Sequence, residues 1–160
     1  MSARVTAVTA LYAIVFWAIP AFSQADSLGP KDTFAAAKLS PKEMREIISG
    51  VEKSAYDTPD SWGTELRAKR VDLGASPGLV LQGTNLLCGG TGNCQLFVFR
   101  KADDKWVSLF GGDQAPLAES FQLGPSLTQG IKDLTVIRNA SADSSQRVRY
   151  KFDGQIYRSK

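Results

Sequence analysis

Between Ala55 and Thr64 the spacing of apolar residues changes, and that change limits the fold more than any other feature of the chain. Before it, Met44, Ile47, Ile48, Val51 and Ala55 recur at i, i+3, i+4, i+7 and i+11, one stripe of a helix expected over about residues 41–56. Ser40-Pro41-Lys42-Glu43 starts that helix. It offers a serine cap, proline at the first helical position and a glutamate placed to reach back to the cap. Gly50 weakens the helix modestly, and "DTPDSWG" stops it. From Thr64 on the runs are short and rich in β-branched and aromatic residues: "TELRAKRVDL", "GLVLQG", "QLFVFRK", "KWVSLF", "SFQLG", "DLTVIRN", "RVRYKFD" and "QIYRS". Turn formers such as "GASPG", "ADD", "NASADSS" and "DG" part most of them, the last read as a two-residue hairpin turn.

The expected class is α+β: one amphipathic helix on an antiparallel meander of about seven or eight strands, since each apolar face needs the other for burial. Val148, Tyr150 and Phe152 alternate with Arg147, Arg149 and Lys151, which marks a strand with one wet face. "LFVF" is apolar on both faces and belongs in the middle. The strands also fall into two sets of four, about 64–111 and 119–160, each patterned like one propeller blade. A propeller needs four or more blades, and any meander alternates this way, so both explanations stay open.

The chain's first 25 residues read as a cleaved secretory leader: Arg4, an apolar run from Val5 to Ile19, and a small-residue exit at Ser23-Gln24-Ala25. The run is short of the ~20 residues that span a bilayer, so no stable membrane span is expected after cleavage. Residues 26–39 form a lead-in with a helical turn near Phe34, and 40–160 form the single domain. A periplasmic or secreted location follows from the leader.

An exported chain meets oxidising conditions, where disulfides persist. Cys88 and Cys94 are the only cysteines, and they bracket Gly89, Gly90, Thr91, Gly92 and Asn93 between two strand-like runs. Joined, they clamp a glycine-rich hairpin tip. The chain-entropy gain of so small a ring is about 2 kcal/mol, and the three glycines would otherwise be expensive to order. The tip is either a presented binding element or a stapled turn. Redox chemistry fits poorly, because its usual spacing is Cys-x-x-Cys.

At "CGGTGNCQLFVFRKADDKWVSLF" and "YKFDGQIY" the chain resembles a set of uncharacterised secreted bacterial proteins. These carry a Cys-Gly-x-x-Gly-Asn-Cys hairpin and a Tyr-x-Phe-Asp-Gly-x-x-Tyr-like ending. The resemblance covers about half of the expected mature chain. It implies export and a β-rich fold, and it transfers no catalytic residues.

Catalytic chemistry finds few materials. The chain has no histidine, which excludes Ser-His-Asp and Cys-His arrangements. With both cysteines paired, a metal site is not expected, and no cofactor is. "GGTGN" precedes a strand rather than a helix, unlike a nucleotide cradle. What remains is a carboxylate pair, with Asp57, Asp60, Asp103, Asp104 and Asp113 as candidates, or a Ser-Lys dyad, for which no Ser-x-x-Lys opens a helix; the adjacent aspartates read as a polar turn between Lys101 and Lys105. Nineteen bases face sixteen acids with both signs interspersed, so nucleic acid is not an expected partner. "ELRAKR" reads as a solvated strand face. Trp62, in the loop after the helix, is a candidate exposed anchor; Trp106, starting a strand, reads as core. Asn139-Ala140-Ser141 fits a glycosylation sequon or simply a turn.

The expected function is therefore that of a non-catalytic exported binding protein. It would recognise a protein or cell-envelope component through strand-connecting loops, with Trp62 and Gly89 to Asn93 as candidate contacts. A carboxylate-dependent hydrolase of cell-wall or sugar substrates, and a structural module of an envelope assembly, are the alternatives.

Overall fold

A computed structural model describes residues 25–55, 61–111 and 115–160. The expected leader lies, but for Ala25, outside the described residues, as do Asp57, Asp60 and Asp113.

Helix α1 spans Pro41–Glu52 and begins as its sequence dictates. The Ser40 hydroxyl accepts from the Glu43 N–H at 3.3 Å, and the Glu43 carboxylate accepts from the Ser40 N–H at 2.9 Å. A single helical turn, α2 (Trp62–Glu65), leads into β1 (Leu66–Asp72). Then follow β2 (Pro77–Gly83), β3 (Cys94–Ala102) and β4 (Lys105–Ser108). The two residues of β5 are Leu117–Ala118. The chain closes with β6 (Ser120–Thr128), β7 (Ile131–Ser141), β8 (Ser144–Phe152) and β9 (Tyr157–Ser159).

The α+β class holds, but the strands do not form one meander. They form two antiparallel sheets, β1-β2-β3-β4 with β5 also on β3, and β6-β7-β8-β9. The break falls at β5–β6. Leu117 and Ala118 pair with β3 in the first sheet, whereas Ser120 onward pairs with β7 in the second. Between them the Glu119 N–H donates to the Ile137 carbonyl at 2.9 Å. A strand that changes sheets in this way makes the corner of a stacked pair. At the far side the Tyr157 N–H donates to the Leu109 carbonyl, so the second sheet is tied to the first along both flanks.

The result is three layers, with the first sheet between α1 and the second sheet. Alternation along the central strands decides which core each residue enters. Leu79, Leu81, Phe97 and Phe99 meet Ile47 and Val51 of α1. Val80, Leu96 and Val98 meet Phe121, Leu134, Val136 and Phe152 of the second sheet. The two-faced apolar pattern of "LFVF" is thus satisfied by two separate cores.

One turn expectation changes and another holds. Asp153-Gly154 is not a two-residue turn: Phe152 pairs with Tyr157, leaving a four-residue loop. The Asp153 carboxylate organises that loop by accepting from the N–H groups of Gln155 and Ile156. Asp103-Asp104 is a two-residue turn, with Ala102 paired to Lys105 and φ of 47° and 60°. Positive φ at both centres is what a type I′ hairpin demands, and aspartate tolerates it better than most residues.

Candidate functional site

The cysteine loop grows out of the end of β2. After Gly83 a 3-10 turn, Asn85–Leu87, buries Leu87 and delivers Cys88 opposite Cys94. The two sulfurs are bonded. Beyond them the Gly89 N–H donates to the Asn93 carbonyl at 2.7 Å, and the Gly92 N–H to the Gly89 carbonyl at 3.0 Å. Of the loop's three glycines only Gly92 adopts positive φ, at 78°. That left-handed residue is where a side chain would strain the turn. Gly90, Thr91 and Gly92 are exposed.

Asn93 does not belong to the exposed tip. It is 5% exposed and works as a clasp. Its amide nitrogen donates to the Asn139 carbonyl at 2.8 Å, and its amide oxygen accepts from the Asn139 N–H at 2.8 Å. The Asn139 side chain returns a bond to the Thr91 carbonyl at 3.3 Å. These groups meet where β7 and β8 lose register between Asn139 and Ser141. The Asn139 N–H and carbonyl face the side of β7 where pairing with β6 stops at Ser120–Ile137, and Asn93 supplies the partners that β6 no longer reaches. The loop is therefore held twice, at its base by sulfur and at its side by an amide from the other sheet.

Polar hollows lie on both sides of it. One, of about 340 Å³, is lined by Leu28, Arg67, Gln82, Asn85, Glu119 and both cysteines. The other, of about 460 Å³, is lined by Gly90, Thr91, Glu119, Asn139 and Ser141. Glu119 borders both. The Arg67 guanidinium is held by a 2.7 Å bond to the Leu28 carbonyl. Buried Gln82 fixes the floor, accepting from the Leu28 N–H and donating to the carbonyls of Ala118 and Glu119. Opposite charges, amides and exposed backbone around a rigid turn can bond a peptide or a polar saccharide.

Trp62 is not an exposed anchor. The α2 turn tucks its indole into the helix-side core with Leu66 and Leu87, leaving it 9% exposed. Trp106 is core, as its place in a strand suggested, and its indole N–H donates to Glu43 at 3.1 Å. Around that ring Lys101 also bonds Glu43 at 3.0 Å, while Arg70 and Lys101 lie 5.6 and 5.7 Å from the ring centre. This cluster fastens α1 to the first sheet. Asp103 and Asp104 are exposed turn residues. Among the described residues no cluster of histidine, cysteine and acids could hold a metal ion, and no helix is long and apolar enough to cross a membrane.

Glu119 escapes a reading of the sequence, and Arg67, read as part of a solvated strand face, and Asn139, read as a sequon or turn, carry no local sign of these contacts. Gln82 carries a faint signal, a lone amide ending the apolar run "GLVLQ". Set against family models, curated proteins and solved structures, the chain matches none.

Proposed function

We propose that this protein is an exported, non-catalytic binding module that recognises a protein or cell-envelope component through the loop closed by Cys88 and Cys94. The observation that carries this reading is the double fastening of an exposed tip, Gly90 to Gly92, between two polar hollows. Pre-ordering a loop lowers the entropy lost when a partner binds. A stapled, clasped tip is thus better suited to recognition than a free glycine loop. The disulfide also fits an oxidising compartment. A chain without histidine, whose adjacent aspartates serve a turn, supports binding over catalysis. We read the two consecutive sheets, β1 to β4 with β5 beside β3 and then β6 to β9, as a doubled blade-like unit that serves as a scaffold for the loop.

The test is capture from an envelope extract by wild type, by Cys88→Ala/Cys94→Ala and by Gly90→Arg, at a position where a Cβ meets nothing within 4 Å. The last blocks the tip while leaving both fastenings in place. A partner retained by wild type and reduced about tenfold or more with both folded variants supports the reading. Equal retention of every partner removes the loop from recognition.

A further inference from the structure

A second surface lies on the outer face of the second sheet. Along β8, Tyr150 and Phe152 turn into the core, so Arg147, Arg149 and Lys151 turn out. On β9, buried Tyr157 puts Arg158 outward, and Lys160 follows two residues later. The register then places like charges side by side. Lys151 pairs with Arg158, and the Lys160 N–H donates to the Arg149 carbonyl at 2.9 Å.

Like charges directly opposite on neighbouring strands are destabilising, and little here offsets them. Asp133 reaches Lys151 at 3.3 Å and Asp153 reaches Arg158 at 3.0 Å. No ion pair reaches Arg147, Arg149 or Lys160 among the described residues. The charge is also segregated along the chain. Residues 147–160 hold five bases and one acid, whereas residues 5–146 hold thirteen bases and fifteen acids. The excess positive charge of the whole chain therefore sits on this one face.

We infer that this face docks an acidic polysaccharide. Its basic half, β8 and β9, presents cations about 7 Å apart along a strand and about 5 Å apart across strands. Its other half, β6 and β7, offers hydroxyls and amides. There Gln122, Ser126, Asp133, Thr135 and Arg149 line a hollow of about 190 Å³, in which the Asp133 carboxylate is already taken up by Lys151 at 3.3 Å and by the Thr128 hydroxyl at 2.6 Å. Carboxylates or sulfates meet the first half and sugar hydroxyls the second. The large exposed apolar side chains among the described residues are Leu86, Val107, Leu117 and Leu127. The first three lie on other elements, and Leu127, opposite Lys132, has the inward register of β7. The face thus lacks the aromatic platforms that stack bases and the apolar groups that enter a bilayer.

The experiment measures binding of alginate oligosaccharides to the full chain at about 50 and 200 mM salt, the range over which such contacts weaken steeply. Compared are wild type, Arg147→Glu/Arg149→Glu and Lys42→Glu/Lys105→Glu, which reverses two exposed bases elsewhere. The first variant should bind about tenfold or more weakly, the second within about twofold of wild type, and neutral dextran should not bind. If double reversal lowers the thermal midpoint, Arg147→Gln/Arg149→Gln replaces it, with a smaller loss expected. Absence of alginate binding at low salt, or unchanged binding by a folded double variant, overturns the inference. So does tighter binding of duplex DNA or of phosphatidylglycerol vesicles at equal charge concentration. Cys88→Ala/Cys94→Ala should bind alginate as wild type does, which separates this face from the loop.

Discussion

Glu43 shows how one side chain can serve two levels of structure. The spacing from Ser40 marks it as a helix-capping residue, and it caps. The same carboxylate also accepts from Lys101 and Trp106 and so joins α1 to the first sheet. The Ser40 backbone N–H, then Lys101, then the Ser40 hydroxyl and the Trp106 indole hold its pKa down at about 2, against a smaller opposing cost of burial. A carboxylate depressed in the folded state contributes stability above its unfolded pKa, near 4.5, and loses it as pH falls toward 2. Asp153 is depressed to about 2 by the Ile156 and Gln155 N–H groups and by Arg158. Asp72 is lowered mainly by Lys132. Acid should therefore destabilise the protein across that window. Glu43→Gln should be less stable than wild type at pH 6, and its urea midpoint should fall less steeply between pH 5 and pH 2.5. Parallel curves for the two proteins would show that the capping carboxylate is not part of the acid response.

At the scale of elements, Gly50 and Gly90 make opposite demands although both are glycines. A Cβ at Gly50 would stand 2.7 Å from the Phe99 ring, because α1 lies that close to the central strand. Alanine there gains about 1 kcal/mol of helix propensity but overpacks a buried ring, at about 1–3 kcal/mol. A Cβ at Gly90 meets nothing within 4 Å. Chemical denaturation should find Gly50→Ala destabilised by up to about 2 kcal/mol and Gly90→Ala within about 0.5 kcal/mol of wild type. A stabilised Gly50→Ala would mean that helix and sheet can move apart freely. Much of this architecture was legible locally. The capping box placed α1, and β-branched and aromatic runs parted by turn formers located eight of the strands. What escaped depends on distance. The β5–β6 change of sheet is set by pairing partners, and β6 runs through Gly124-Pro125 as a bulge where "SFQLG" suggested an end. Trp62 looked free until α2 turned it inward. The loop was visible in the cysteines, but its clasp joins residues 46 apart in sequence, and no local pattern reports such a bond.

Over the whole molecule, the three layers share one weakness, the crowding of positive charge on the outermost. Opposed like charges across a strand pair cost about 0.2–1 kcal/mol, and salt screens them, with a Debye length of about 10 Å at 0.1 M. Arg149 is the clearest case. It lies beside Lys160 and makes no ion pair among the described residues, and Asp133, which lines the same hollow, is already paired with Lys151, so on balance its positive charge adds repulsion to the folded state. Arg149→Gln should therefore be more stable than wild type by a few tenths of a kcal/mol at about 10 mM salt, with the difference closing toward 1 M as screening becomes complete. Thermal unfolding of both proteins across that salt series checks it. Wild type should gain more from salt than the variant does, because it has more repulsion to screen. Should Arg149→Gln prove less stable at every salt concentration, the arginine's aliphatic stem must be packing the sheet surface, and the case for a charge retained at the expense of stability fails. A variant that is more stable and yet loses alginate would instead show the charge being kept for binding.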